Sequence, residues 1–339
     1  MEITGKLTSI VSYDTIIGMN PPFIITPNIL KSVTDISLLL GKYEGLQFPS
    51  PTIALRRENK IRTIYSSLVI EGNNLSKEQV TALLDGKPVI GKKKDIQEVQ
   101  NAIKAYDLFS TYNPNSLKSF LSAHKVMLEH LVDDAGKIRT ANVGIFNGSK
   151  VAHVAPKYTF VPKLMGDLFS FVKRNKGVNI LVISSVFHYE VEFIHPFKDG
   201  NGRMGRLWQS VMLYNWNPLF EFLPIESLIR QNQTTYYKVL GECDKSGDST
   251  LFIEFMLDII LQTLSEFMEF IKPQPLNATG RLELFKNQRG ESSFSRKNYL
   301  VFFKTISTAT ASRDLSNGVA KKILIKEGNQ NKSVYKFYR

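Results

Sequence analysis

The segment His195-Pro196-Phe197-Lys198-Asp199-Gly200-Asn201-Gly202-Arg203-Met204-Gly205-Arg206 decides how this chain is read. A residue before proline is pushed out of helical geometry, so a helix over 178–194 is expected to stop at His195. Residues 198–202 are turn sequence, and a new helix is expected from Arg203 to Trp216. Gly200 and Gly202 flank Asn201 just before that helix. Small residues there let backbone N–H groups turn toward one point and form an anion nest. The positive end of the helix dipole adds to it. Arg203 and Arg206, three apart, leave the first turn on nearly one face. Such a cradle suits a polyphosphate. Asp199 supplies one hard carboxylate at the rim, enough for Mg²⁺ (or Mn²⁺) that keeps most of its waters and also takes phosphate oxygens. His195 sits on a proline-stiffened turn, where an imidazole beside a phosphate can accept a proton from an attacking hydroxyl. The constellation points to hydroxyl attack on a nucleotide phosphorus.

Rival readings of the same residues are weaker. The chain has five histidines, His124, His130, His153, His188 and His195, but only His195 adjoins a nest and two arginines. Gly200, Gly202 and Gly205 also fit G-x-G-x-x-G, yet the flanking segments read as helices and an arginine occupies the turn, so the βαβ context of a dinucleotide site is missing. Residues 86–92 resemble G-x-x-x-x-G-K, but Lys93 stands where a phosphate-binding loop needs Ser or Thr.

Outward from this segment the chain is mostly helical. Apolar spacing predicts helices over 29–46, over Ile53 to Glu71 with Gly72 as a stop, over 95–110 and over 116–132. Residues 142–156 alternate around the turn pair Asn147-Gly148 and predict a β-hairpin. Helices resume at 162–175, and two more are expected at 226–243 and 249–272. Pro273 and Pro275 mark a linker to a small separate domain. There Ala309–Ala320 is expected as a helix, with paired strands over Lys321 to Ile325 and Ser333 to Phe337.

Composition sets the class. With 339 residues, 43% hydrophobic and 22% charged, the chain is that of a folded protein of two or three domains. A single cysteine, Cys243, excludes an internal disulfide framework and a Cys-rich zinc site. No stretch of 18 apolar residues occurs and no secretory leader is evident, so a cytoplasmic protein with no membrane partner is expected. Net charge is +12, of which residues 281–339 carry +9, from 13 Lys/Arg against 4 Asp/Glu. A basic end domain on a near-neutral body suggests DNA contact there, through Arg313, Lys321, Lys322 and Lys326, with a plain solubilising surface as the alternative.

The segment 195–206 is similar to the signature of the Fic family, H-x-F-x-[D/E]-G-N-G-R-x-x-R, with every fixed position filled. Residues 137–143 and the hairpin after them resemble that family's flap. Tyr236-Tyr237 and the helix at 249–270 resemble its C-terminal core. The likeness runs in order from roughly residue 30 to 272. It implies a mainly α fold, a Fic-type helical bundle with a β-hairpin flap, followed by a small C-terminal winged-helix domain. The expected parts are 1–100, an N-terminal helical region carrying an inhibitory motif; 101–275, the catalytic core; and 276–339, the basic domain.

The resemblance also implies an activity: transfer of AMP from ATP to a Ser, Thr or Tyr hydroxyl of a protein target, itself included. His195 would take the hydroxyl proton. Gly200, Asn201, Gly202, Arg203, Met204, Gly205 and Arg206 would hold ATP, Asp199 would hold the metal, and Tyr236 and Tyr237 would lie near the adenine. Gly148, Ser149, Lys150, Val151, Ala152, His153 and Val154 would dock the target as an added strand. Ser67-Leu68-Val69-Ile70-Glu71-Gly72 matches the family's inhibitory pattern S/T-x-x-x-E-G/N, so Glu71 would bind Arg206 and keep ATP from a productive pose. Alternatives implied alongside are removal of AMP, transfer of another phosphate-containing group, a nucleotide-sensing DNA-binding regulator, and a homodimer.

Overall fold

A computed structural model of the chain describes residues 20–45, 51–147, 150–175, 177–271, 276–290, 292–304, 306–328 and 333–338. The chain divides into two compact units, Met1–Ile271 and Lys272–Arg339.

Within the described residues, the first unit holds helices α1 (Pro27–Gly45), α2 (Ile53–Ile70), α3 (Lys77–Leu84), α4 (Lys93–Asp107), α5 (Leu117–Met127), α6 (Val161–Arg174), α7 (Ile180–Ile194), α8 (Asn201–Trp216), α9 (Ile225–Gln231), α10 (Gln233–Ser246) and α11 (Thr250–Ile271). Strands β1 (Gly144–Asn147) and β2 (Lys150–Val154) interrupt them. The centre is the pair α7 and α8, which pack along each other. Every residue of α7 from Leu181 to Val191 is buried, as is every residue of α8 from Asn201 to Leu213. A helix buried all round must be wrapped by others. Here α11 covers α7, α5 lies against α8, and α2 packs on α9. The amphipathic stripes read in the sequence thus face one core.

Three local signals put the site where it is. Helix α2 starts at Thr52, whose side chain accepts from the Leu55 N–H, and it ends with Glu71 as its cap ahead of Gly72 at φ 86°. Helix α7 ends at His195, which takes the left-handed conformation, φ 51° and ψ 60°, before Pro196. Helix α8 starts at Gly200, φ 87°, and no side chain caps it. A methyl group on Gly200 would lie 2.6 Å from Leu128 Cδ2, so glycine is required there by space as well as by torsion.

Several expectations shift. Helix α8 begins two residues earlier than expected, at Asn201. The segment read as one helix over 226–243 breaks at Asn232 into α9 and α10. Helix α5 stops at Met127, short of 132, because the chain turns there; His130 takes φ 61°. In the hairpin Asn147 pairs with Lys150; Gly148 of the expected turn pair lies outside the described residues. Helix α3, with its capping box of Ser76 and Gln79, had no apolar stripe long enough to predict it.

The second unit runs α12 (Ala278–Arg289), β3 (Phe294–Ser295), α13 (Arg296–Phe302), α14 (Thr308–Ala320), β4 (Leu324–Glu327) and β5 (Val334–Phe337). Its strands form an antiparallel sheet in the order β3-β5-β4. Leu282, Phe285, Phe294, Tyr299, Leu315, Leu324 and Phe337 make its core. Arg281 Nε lies 2.6 Å from Asp314 Oδ2, and Tyr299 Oη donates to the same oxygen at 3.2 Å. The helix α12 and the strand β3 were not expected from sequence; both are short and lack clean periodicity.

Candidate active site

The loop from His195 to Gly200 joins α7 to α8 and is held from below. Phe197 is fully buried and stacks on His124, with ring centroids 3.5 Å apart and planes within 6°, and also on Phe120. The His124 ring spans the loop. Its Nδ1 accepts from the Gly136 N–H at 2.8 Å, so its Nε2 carries the proton and donates to the Asp199 carbonyl at 3.0 Å. Burial pushes the His124 pKa down to about 4, which keeps this neutral tautomer in place. Asn201 closes the loop on itself. Its Oδ1 accepts from the Phe197 N–H and its Nδ2 donates to the Phe197 carbonyl, both at 2.9 Å. The Asn201 side chain is therefore engaged by the loop, and only its backbone N–H remains to serve an anion.

Arg139 fastens the loop from the other side. It is 2% exposed, and its guanidinium donates to the carbonyls of His195 at 2.7 Å, Ala141 at 2.8 Å and Pro156 at 2.5 Å. Its own N–H donates to the Pro196 carbonyl at 2.9 Å. One buried cation thus ties the negative end of α7 to both feet of the hairpin β1–β2. His195 Nδ1 lies 3.3 Å from the Glu192 carbonyl, an atom that can only accept. In the neutral ring Nδ1 then carries the proton and Nε2 the lone pair.

The basic face is built on α8. Arg203 Nη2 donates to Asp199 Oδ1 at 2.7 Å, and its Nη1 lies 3.5 Å from Glu98 Oε1 on α4. Burial opposes the charge on Asp199, but the Arg203 guanidinium holds its pKa below the usual carboxylate range. Arg203 is nearly fully buried, and neither its Nε nor its Nη1 has a hydrogen-bond partner. Arg206 is equally buried and fully engaged by α2. Its Nη2 donates to Glu71 Oε1 at 2.7 Å and to the Ser67 carbonyl at 3.0 Å, and its Nε donates to Ser67 Oγ at 3.1 Å. Burial disfavours the guanidinium charge, yet Glu71, foremost, holds it protonated. The Ile70 carbonyl accepts from Gln233 Nε2 and Tyr237 Oη of α10, which fixes the end of α2 that presents Glu71.

The remaining candidates separate. Met204 is buried. Gly205 lets α8 close on α7; a methyl there would lie 2.6 Å from His188 Cδ2. Tyr236 is wholly buried, hydrogen-bonded to Glu192 Oε1 and His188 Nε2, both at 3.0 Å, so no ring face is open to a ligand. Tyr237 is half exposed beside the end of α2. Lys150, Val151, Ala152, His153 and Val154 form β2, paired antiparallel with β1 through an irregularity after Ile145. Gly148 and Ser149 lie outside the described residues.

Sequence reading passed over His124, Arg139, Glu98 and Glu192 as individuals. Glu192 had a visible signal, one of two carboxylates, with Glu190, within the largely apolar α7; the others gain their roles only from contacts distant in the chain.

The chain is similar to several known proteins. The sequence profile of the Fic/DOC family matches residues 114–213. A Fic family protein from Desulfovibrio desulfuricans G20, of known crystal structure, is 37% identical, covers 94% of this chain and 98% of its own, and superposes with a TM-score of 0.72. Protein adenylyltransferase Fic of Aedes aegypti is 29% identical over 265 residues, 74% of this chain and 48% of its own. Protein adenylyltransferase fic-1 of Caenorhabditis briggsae is 27% identical over 231 residues, 64% of this chain and 44% of its own. The chain spans about half the length of these curated relatives. A Fic fold is what the structure and these likenesses define. The chain belongs to the Fic family.

Proposed function

We propose that this protein transfers AMP from ATP to a hydroxyl side chain of a protein, and that Glu71 restrains it. The observation that carries the reading is the clasp of Arg206 by Glu71 and Ser67, beside an uncapped start of α8. A carboxylate already sits against the cation that a terminal phosphate would use. The names of the Aedes and Caenorhabditis relatives support the same chemistry.

The steps follow from the residues. His195 Nε2 takes the proton of the incoming hydroxyl. Its oxygen bonds to the α-phosphorus, the bond from that phosphorus to the bridging oxygen breaks, and pyrophosphate leaves. The backbone N–H groups at the start of α8 hold the phosphates, helped by the helix dipole. Arg203, underpaired for so buried a cation, would gain the acceptor it lacks. Arg206 would hold the outer phosphates once Glu71 withdraws. Positioning and charge neutralisation supply most of the rate. Tyr237 is the ring left to meet adenine, and β2 the edge left to pair with the target.

Asp199 fits Mg²⁺. It is ionised, partly exposed and a hard oxygen donor. Among the described residues no three His, Cys, Asp or Glu cluster as a metal site, so phosphates and waters must complete the shell, as Mg²⁺ prefers. Bound there, the ion would neutralise phosphate charge.

Incubation with ATP labelled at the α-phosphate tests the reading: label enters protein for a transferase, and label only from the γ-position marks a kinase instead. Arg139 gives a finer prediction. In a Glu71→Gly background, Arg139→Met is expected to lower kcat about tenfold with ATP affinity within twofold, and Arg139→Lys to recover part of it. The lysine restores a cation but not the fork. A parallel loss of ATP binding would contradict a positioning role.

For the second unit we propose a winged helix that meets DNA. The order α12-β3-α13-α14-β4-β5 supports the first part. Exposed Arg313, Lys321, Lys322 and Lys326 support the second. Duplex binding should weaken steeply with salt and weaken further in Arg313→Ala; no binding at low salt would end this proposal.

A further inference from the structure

We propose that Glu192 is a second acid of the inhibitory site, and that its loss of a proton loosens the Glu71–Arg206 clasp, so that self-inhibition relaxes as pH rises. The inference rests on the inhibitory reading of Glu71 above.

Geometry brings the groups together. A methyl group on Gly202 would lie 2.4 Å from Glu71 Oε1, 3.0 Å from Arg206 Nη1 and 3.2 Å from Glu192 Oε1. Two carboxylates and one guanidinium therefore converge on a single spot over the first turn of α8. Glu71 arrives from the end of α2, Arg206 from α8 and Glu192 from α7. From α10 come Tyr236, Tyr237 and Asp244, and His188 shares α7 with Glu192. One cation serves two acids. With Glu192 neutral, the Glu71–Arg206 pair is balanced; with Glu192 ionised, a second buried negative charge stands beside Glu71.

A chain of hydrogen bonds says where the proton belongs. Ser185 Oγ donates to the Leu181 carbonyl at 2.8 Å, so it accepts from Gln209 Nε2 at 3.2 Å. That turns Gln209 Oε1 toward His188 Nδ1, 2.7 Å away, which must carry the proton. His188 Nε2 is then an acceptor and takes the Tyr236 hydroxyl at 3.0 Å. Tyr236 Oη, with one hydrogen, stands 3.0 Å from His188 Nε2 and 3.0 Å from Glu192 Oε1, and with Glu192 ionised it can serve only one of these two acceptors. A proton on Glu192 satisfies both contacts at once, with Glu192 donating to Tyr236 Oη and Tyr236 donating to His188. The alternative, protonating His188 on both nitrogens, is opposed by its burial, which drives its pKa down to about 3. Burial and the charge of Glu71 together raise Glu192 to about 7, with Asp244 adding to the rise and Arg206 and Tyr236 opposing it. Coupling is reciprocal: if the charge on Glu71 disfavours ionisation of Glu192, an ionised Glu192 disfavours Glu71 in its seat by the same free energy.

The sign follows. Below pH 7 Glu192 keeps its proton and the clasp is at full strength; above pH 7 it weakens. The readout is the labelling rate from α-labelled ATP for the native protein divided by that of Glu71→Gly, which cancels the pH dependence of the chemistry itself. Between pH 6 and 8.5 this ratio should rise about fivefold. In Glu192→Gln, whose amide still donates to Tyr236 Oη, the ratio should stay within twofold. A flat ratio in the native protein, or an equal rise in Glu192→Gln, overturns the proposal. A second readout needs no activity. The protonated-carboxyl infrared band has a component, apart from that of Glu190 with its pKa pushed up to about 8, that should fade near pH 7 in the native protein and about one pH unit lower in Glu71→Gly. An unmoved band refutes the coupling even if Glu192→Gln folds poorly. If Glu71→Gly labels nothing while the band shifts, the transferase reading fails and the coupling stands.

Discussion

His195→Ala, made in a Glu71→Gly background, should cut the rate of AMP transfer by about 10²–10⁴-fold, the range that a positioned general base contributes. The Glu71→Gly background matters because a restrained enzyme leaves little rate to lose. The structure gives the expectation its detail. The Glu192 carbonyl takes the Nδ1 proton, and Arg139 anchors the His195 carbonyl, so the ring reaches the site in one tautomer and one pose. Alanine removes the proton acceptor and leaves the loop, because Phe197, His124 and Asn201 hold the loop without help from the imidazole. ATP affinity should therefore change less than twofold, measured by titration calorimetry. Equal losses in affinity and rate would mean that His195 binds nucleotide rather than moving a proton.

The second large effect is the release of the restraint. Glu71→Gly should raise labelling about 10–100-fold over the native protein. A hydrogen bond to a charged group contributes about 1.5–3 kcal/mol, and each 1.36 kcal/mol is a factor of ten. Glycine removes the carboxylate that Arg206 holds at 2.7 Å and keeps the Ser67 contacts, so the guanidinium stays near its place with one donor to spare. The position is tolerant of glycine, since Glu71 is the cap of α2 and lies outside its helical body. A Ser67→Ala variant should raise labelling far less, because the Ser67 carbonyl still holds Nη2. Equal labelling by the native and Glu71→Gly proteins would remove the inhibitory role, and the pH proposal for Glu192 with it.

The candidate site was legible where its residues are neighbours in the chain. Proline after His195, glycine at 200 and the spacing of Arg203 and Arg206 impose turn, nest and helix face whatever lies around them. Glu71 was legible as a pattern, and its helix end followed from Gly72. Glu192 and His188 escaped because a polar residue on a buried helix has meaning only through its partners, and these come from α10 and from α8. Tyr236 was placed near the nucleotide by its position in the family pattern; its full burial decides otherwise, since a ring enclosed by the core has no face to offer. Asn201, an obvious phosphate ligand by its place, spends its side chain on Phe197. A short loop with two glycines needs a brace, and an amide four residues on can bond both the N–H and the carbonyl of one residue.

Local chain chemistry alone determined that this is a helical protein with a glycine-flanked turn between two helices. It also determined that the positive charge gathers at the far end. Those features depend on torsion preferences, periodicity and charge, which act over a few residues. Tertiary packing decided that Arg206 meets Glu71, 135 residues away, and that Arg139 ties the hairpin to the loop that starts at His195. It also decided that two carboxylates share one cation above Gly202. Such pairings cost desolvation that only a closed core imposes, and no pattern within one segment records which distant group will answer it.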